Sequence, residues 1–106
     1  MIQEDKFFMT EQERVDGLTN LLIKILKKEG VNLRPKGGAR TTVDKRFDFS
    51  LYVLFAGSKQ IGCYEFELKK GKYECLIDLH GLSVDDYQRI KEIVGKEFPE
   101  INQNKI

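Results

Sequence analysis

A chain of 106 residues with 18 basic and 17 acidic side chains carries a formal charge of +1. That balance excludes bulk electrostatic attraction to nucleic acid or a membrane surface and leaves only local clusters to supply it. Its length and 41% hydrophobic content, with 7 Phe and 4 Tyr, suit a single domain over 1–106 with one core and few apolar residues to spare for a deep ligand cavity.

In chain order, Met1 to Lys6 has acids where a signal peptide has bases. Phe7, Phe8 and Met9 are too apolar for a free tail, so residues 1–9 are expected to fold back as a partly ordered N-terminal segment. Thr10-Glu11-Gln12-Glu13 reads as a capping box. Val15, Leu18, Leu21, Leu22, Ile25 and Leu26 follow at helical spacing, with Lys27 and Lys28 at the negative end and Gly30 beyond it, which predicts a helix over 11–29. Val31 to Arg34 reads as a short extended piece stopped by Pro35, and Lys36 to Arg40 as a loop.

From Lys45 to Ala56 the chain alternates, with Phe47, Phe49, Leu51, Val53 and Phe55 on one face and Asp48, Ser50, Tyr52 and Leu54 on the other. Gly57 to Gln60 turns it back. A second strand carries Tyr64, Phe66 and Leu68 on one face; Lys70-Gly71 makes a two-residue turn; a third strand carries Tyr73, Cys75, Ile77 and Leu79. Ser83 caps a second helix with Asp85 and Asp86 in its first turn, and Phe98-Pro99 ends it. Residues 100–106 are expected to fray. No run approaches the roughly 20 apolar residues that cross a bilayer. The fold expected is α+β in the order αβββα, a three-stranded antiparallel meander packed with two amphipathic helices.

The turn lengths predict a register. Lys70-Gly71 pairs Leu68 with Tyr73, Phe66 with Cys75 and Tyr64 with Ile77. A four-residue turn over 57–60 pairs Phe49 with Leu68, Leu51 with Phe66 and Val53 with Tyr64, keeping the apolar residues on one face. The opposite face then sets Glu67 against Glu74, a like-charge pair that needs an offsetting cation, from Lys69 and Lys72 or from a bound metal ion. Cys63 and Cys75 fall on opposite faces, so no disulfide joins them, and reduced structural thiols suit a cytoplasmic protein.

Four features can carry function. Asp48 on one strand and Glu67-Leu68-Lys69 on the next resemble the PD-(D/E)xK nuclease core, although Phe47 stands where that family has proline before the Asp. The resemblance runs over roughly 13–95 and implies Asp48, Glu67 and Lys69 as catalytic residues, with Mg²⁺ held by Asp48 and Glu67. Glu74 is a possible extra ligand. The basic cluster Arg34, Lys36, Arg40, Lys45 and Arg46 is a candidate for phosphate binding. The order of elements also matches the double-stranded-RNA-binding domain, but the second helix starts Val84-Asp85-Asp86-Tyr87, acidic where that family is basic. His80, the lone histidine, is expected to make a turn-side hydrogen bond; a zinc site from Cys63, Asp78 and His80 has no recognised ligand spacing.

The fourth feature is the half-apolar end of the outer sheet face, with Tyr52, Leu54, Ile61, Cys63 and Leu76, which either meets a partner or lies under Phe7, Phe8 and Met9. The function expected is a non-enzymatic binding module without a cofactor. It would act on a protein partner or a second copy through the outer face, with Tyr52, Leu54, Ile61 and Leu76 as the surface. The alternative is a metal-dependent nuclease, or a nucleic-acid binder derived from one.

Overall fold

The computed structural model describes residues 3–40 and 47–103. Its elements are β1 (Glu4–Met9), α1 (Gln12–Lys28), β2 (Val31–Arg40), β3 (Phe47–Ala56), β4 (Lys59–Lys69), β5 (Lys72–Asp78), α2 (Val84–Glu97) and α3 (Glu100–Gln103). The strands form one antiparallel five-stranded sheet in the order β1-β5-β4-β3-β2. The expected meander is thus the centre of a larger sheet, and three helices replace two. Among the described residues no helix is long and apolar enough to cross a membrane.

Both edge strands lie where the sequence suggested something looser. Residues 4–9 pair along the whole of β5, from Glu4 opposite Asp78 to Met9 opposite Tyr73. They complete the sheet instead of covering its outer face. β2 pairs with β3 from Val31 opposite Ala56 to Arg40 opposite Phe47, with a bulge between Pro35 and Gly37. The segment predicted to be a loop is therefore strand; an edge position tolerates Pro35, since its missing amide is needed by no neighbour.

The β4–β5 hairpin has the expected register, with Phe66 opposite Cys75, Tyr64 opposite Ile77 and Lys69 opposite Lys72. Lys70 and Gly71 sit at φ 51 and 79, as a two-residue turn with left-handed central residues requires. The β3–β4 register differs from expectation by one residue. Ala56 pairs with Lys59 across a two-residue Gly57-Ser58 turn, and a bulge then sets Leu54 opposite Gly62 and Phe55 opposite Gln60. Beyond it Tyr52 faces Tyr64, Ser50 faces Phe66 and Phe49 faces Glu67. One extra residue reverses which side chains of β3 meet the core.

The core lies on one side of the sheet. Phe7, Met9, Tyr64, Phe66, Tyr73, Cys75 and Ile77 pack there against Val15, Leu18, Leu22 and Leu26 of α1, Tyr87, Ile90 and Val94 of α2, and Phe98 and Ile101 at the C-terminal end. Tyr64 is at its centre, fully buried, stacked on Tyr52 with ring centroids 5.7 Å apart and bonded through its hydroxyl to Thr19 Oγ1 at 2.6 Å. The helix ends were partly foreseen. Ser83 Oγ accepts from the Asp86 amide as expected, and Gly30 follows α1 at φ +76. The Thr10 cap does not form: Glu11 is the N-cap and makes no side-chain capping bond.

Residues 100–103 are helical, not frayed, because Ile101 is buried and Glu100 is clamped. Arg14 donates to both Glu100 carboxylate oxygens, at 2.8 and 2.5 Å, and its guanidinium lies 4.7 Å from the Phe98 ring centroid. The hydrogen bond from Arg14 holds the Glu100 carboxyl below its ordinary value. A depressed folded-state value contributes stability above the unfolded value of about 4.3, lost as pH falls through the folded one. Glu100→Gln is therefore expected to lower the melting temperature at neutral pH. In thermal unfolding followed against pH, the gap to wild type should close below about pH 4.

Candidate functional site

The face of the sheet away from the helices is built from three complete rows. Phe8, Glu74, Glu67, Phe49 and Ala39 form one; Lys6, Leu76, Glu65, Leu51 and Gly37 the next; Glu4, Asp78, Cys63, Val53 and Arg34 the third. Phe55, opposite Gln60 and Asn32, continues the β3 line beyond the bulge. β3 therefore presents Phe49, Leu51, Val53 and Phe55 outward. Val53 is only 7% exposed, yet it belongs to no part of the main core. These are the residues the expected register had assigned to the interior.

The same reversal corrects the predicted partner surface. Leu54 is fully buried and Ile61 is 2% exposed. Tyr52 packs on the core beside Tyr64. Only Leu76 stays on the outer face, half-buried between Lys6 and Glu65. The error is the β3–β4 bulge, which local turn chemistry does not announce.

Charge divides this face about β3. On β4 and β5, Glu65, Glu67, Glu74 and Asp78 outnumber the cations Lys69 and Lys72. On β2, Arg34 lies over the Phe55 ring at 4.6 Å and, with Pro35, Lys36, Val53 and Gln60, lines an open hollow of about 300 Å³. Of the other candidates for phosphate binding, Arg40 pairs with Phe47 at the end of β2, whereas Lys45 and Arg46 lie outside the described residues. Among the described residues, Arg34 and Lys36 of the basic cluster line one hollow.

Glu67 and Glu74 do face each other as expected. Lys69 offsets them, with Nζ 3.5 Å from Glu67 Oε2 and 3.1 Å from Glu74 Oε2. The hydrogen bond with Glu74 leads the causes that raise the Lys69 pKa, followed by the charge of Glu67. Lys69→Gln should lower the melting temperature, less so at high salt where repulsion is screened, and adding Glu67→Gln should restore it.

In the nuclease-like set, Phe49, and not the expected Ser50, stands opposite Glu67. The side chain of Asp48 lies outside the described residues. Among the described residues no group of three or more His, Cys, Asp or Glu is arranged to hold a metal ion. Asp78 accepts instead from the His80 backbone amide at 3.0 Å, with His80 Nδ1 also 3.0 Å away, which is the turn-side contact expected. Both cysteines are free, on opposite faces as predicted. Burial pushes the Cys75 thiol up to about 12, and burial followed by the Asp78 charge raises Cys63, so neither is a ready thiolate.

One polar cluster had no signal in the sequence. Asp5, on the core side of β1, is 4% exposed and accepts from the Tyr87 hydroxyl and from Lys91 Nζ at 3.1 Å. Its partners lie more than eighty residues away on α2, beyond the reach of any local pattern. Lys91 also lines an open groove of about 450 Å³ between α2 and α3, with Gln88, Glu92, Gly95, Lys96 and Asn102.

No protein-family model matches this chain, and neither a curated protein nor a solved structure matches it significantly.

Proposed function

We propose that this protein is a non-enzymatic binding module whose working surface is the outer face of the sheet, and that its partner is a protein. The observation that carries this reading is the line Phe49, Leu51, Val53 and Phe55, four apolar residues on the face that no described helix packs against. A strand surface serving solvation alone would alternate apolar and polar residues. β3 instead spends large apolar side chains on both faces, and a contiguous apolar stripe rimmed by charge is the usual form of a protein contact. The acids of β4 and β5 disfavour a polyanion on the same face.

The test is a photo-crosslinker in place of Leu51, compared with one in place of Ile23, an exposed residue on α1. In the cells that make the protein, Leu51→benzoylphenylalanine is expected to give a discrete adduct and Ile23→benzoylphenylalanine none. No adduct from position 51 would sink the reading.

A further inference from the structure

We infer that the partner is a second copy of this chain, docked outer face to outer face about a two-fold axis lying between the sheets and parallel to β3; this rests on the outer face being a protein-binding surface. Charge selects both the occupant and the axis. The apolar line of β3 has β4 on one side, with Glu65 and Glu67, and β2 on the other, with Arg34 and Lys36. An axis parallel to β3 lays β3 on β3 and turns β2 of each copy over β4 of the other. The Lys36 ammonium of one copy then faces Glu65 on β4 of its mate, with Arg34 one row along over Cys63, twice by symmetry, as an isologous interface requires. An axis across the strands would stack β4 on β4, acid on acid. Rows are preserved under the chosen axis, so Lys36, beside Gly37 in the row of Leu51 and Glu65, comes closest to Glu65 of the mate.

The size is suitable for a weak pair. With β3 laid on β3, the strands that overlap are β2, β3 and β4 of each copy; three strands about 4.8 Å apart with about six shared residues each present roughly 280 Å² per copy, about 560 Å² in total, so the pair is a small, transient one in which charge and not area sets the affinity. The Arg34 and Lys36 hollow is open in the single chain, and a carboxylate from the mate is the group that fits it.

Sedimentation equilibrium on the full chain, from about 10 µM to about 1 mM, is expected to show a weak monomer–dimer equilibrium whose midpoint falls within that concentration range. Leu51→Glu should abolish it. A charge reversal at Glu65→Lys with Glu67→Lys, and separately at Arg34→Glu with Lys36→Glu, should each weaken self-association at least about tenfold. Mixing the two reversed proteins should restore a heterodimer, a result that misfolding of either variant cannot produce. A wild-type protein that stays monomeric, or a dimer indifferent to Leu51→Glu and to the reversals, would overturn the proposal. The adduct from position 51 separates the two failures. An adduct of twice the 12.3 kDa chain mass supports a second copy, an adduct with another protein overturns the second copy alone, and no adduct overturns the surface as well.

Discussion

A Gly62→Ala variant is expected to lose about 3 kcal/mol of unfolding free energy or more, the range of a severe overpacking. A Cβ at Gly62 would lie 1.9 Å from the Asp78 carbonyl oxygen, 2.8 Å from its carbon and 3.3 Å from Leu79 Cα. All three are backbone atoms at the end of the adjacent strand, so no rotamer change relieves the clash. The close approach sits at the β3–β4 bulge, and a second one supports it. Gly81 donates its amide to the Ile61 carbonyl at 2.8 Å, and a Cβ there would stand 2.6 Å from Ile61 Cα. Urea unfolding of Gly62→Ala beside Gly37→Ala checks this. A Cβ at Gly37 meets nothing within 4 Å, so that variant should stay within about 0.5 kcal/mol of wild type. Equal midpoints for the two would show that the interlock at Gly62 does not hold the bulge.

Asp5→Ala is expected to cost about 3 kcal/mol, since removing one member of a buried charged cluster strands the others. The Tyr87 hydroxyl loses its acceptor and Lys91 its nearest anion. Lys91 keeps a side chain 23% exposed and can turn toward water, which holds the loss to the lower end of that range. Replacing the whole cluster, as Asp5→Leu with Tyr87→Phe and Lys91→Met, should recover most of it, because no polar group is then left unpaired. A triple variant no more stable than Asp5→Ala would mean that packing around Asp5, not charge pairing, sets the cost.

The same cluster has an alkaline signature. Burial first, then the hydrogen bond to Asp5, holds the Tyr87 phenol well above its ordinary value. A raised folded-state value gives stability that is whole below about pH 10 and is lost as pH rises through the folded value. Tyr87→Phe should remove that part of the alkaline fall.

Two departures from the sequence pattern, at β1 and at β2, have separate physical causes. β1 reads poorly because its core-facing residues are Asp5, Phe7 and Met9, and an aspartate at a core position breaks the alternation that marks a strand. Asp5 is tolerated there only because α2 brings Tyr87 and Lys91 to it. β2 reads as a loop because Pro35, Gly37 and Gly38 are turn residues by local preference, and an edge strand accepts them. Of the candidate surface, Tyr52, Leu54 and Ile61 pack toward the interior and Leu76 lies on the outer face. Both faces of β3 are apolar, Tyr52 and Leu54 on one and Leu51 and Val53 on the other, so hydrophobic pattern cannot choose between them.

What the chain determines locally is therefore the two long helices and the β4–β5 hairpin, including the Glu67–Glu74 pair. Each rests on contacts a few residues apart, in the caps, the helical stripe and the Lys70-Gly71 turn. What only the tertiary structure decided is which face of β3 meets the core. That depends on one bulge residue, held by Gly62 against the carbonyl of Asp78 and by Gly81 against Ile61. A side-chain period of two makes a single inserted residue enough to exchange interior for surface, and so to turn four core-like residues into the proposed binding line.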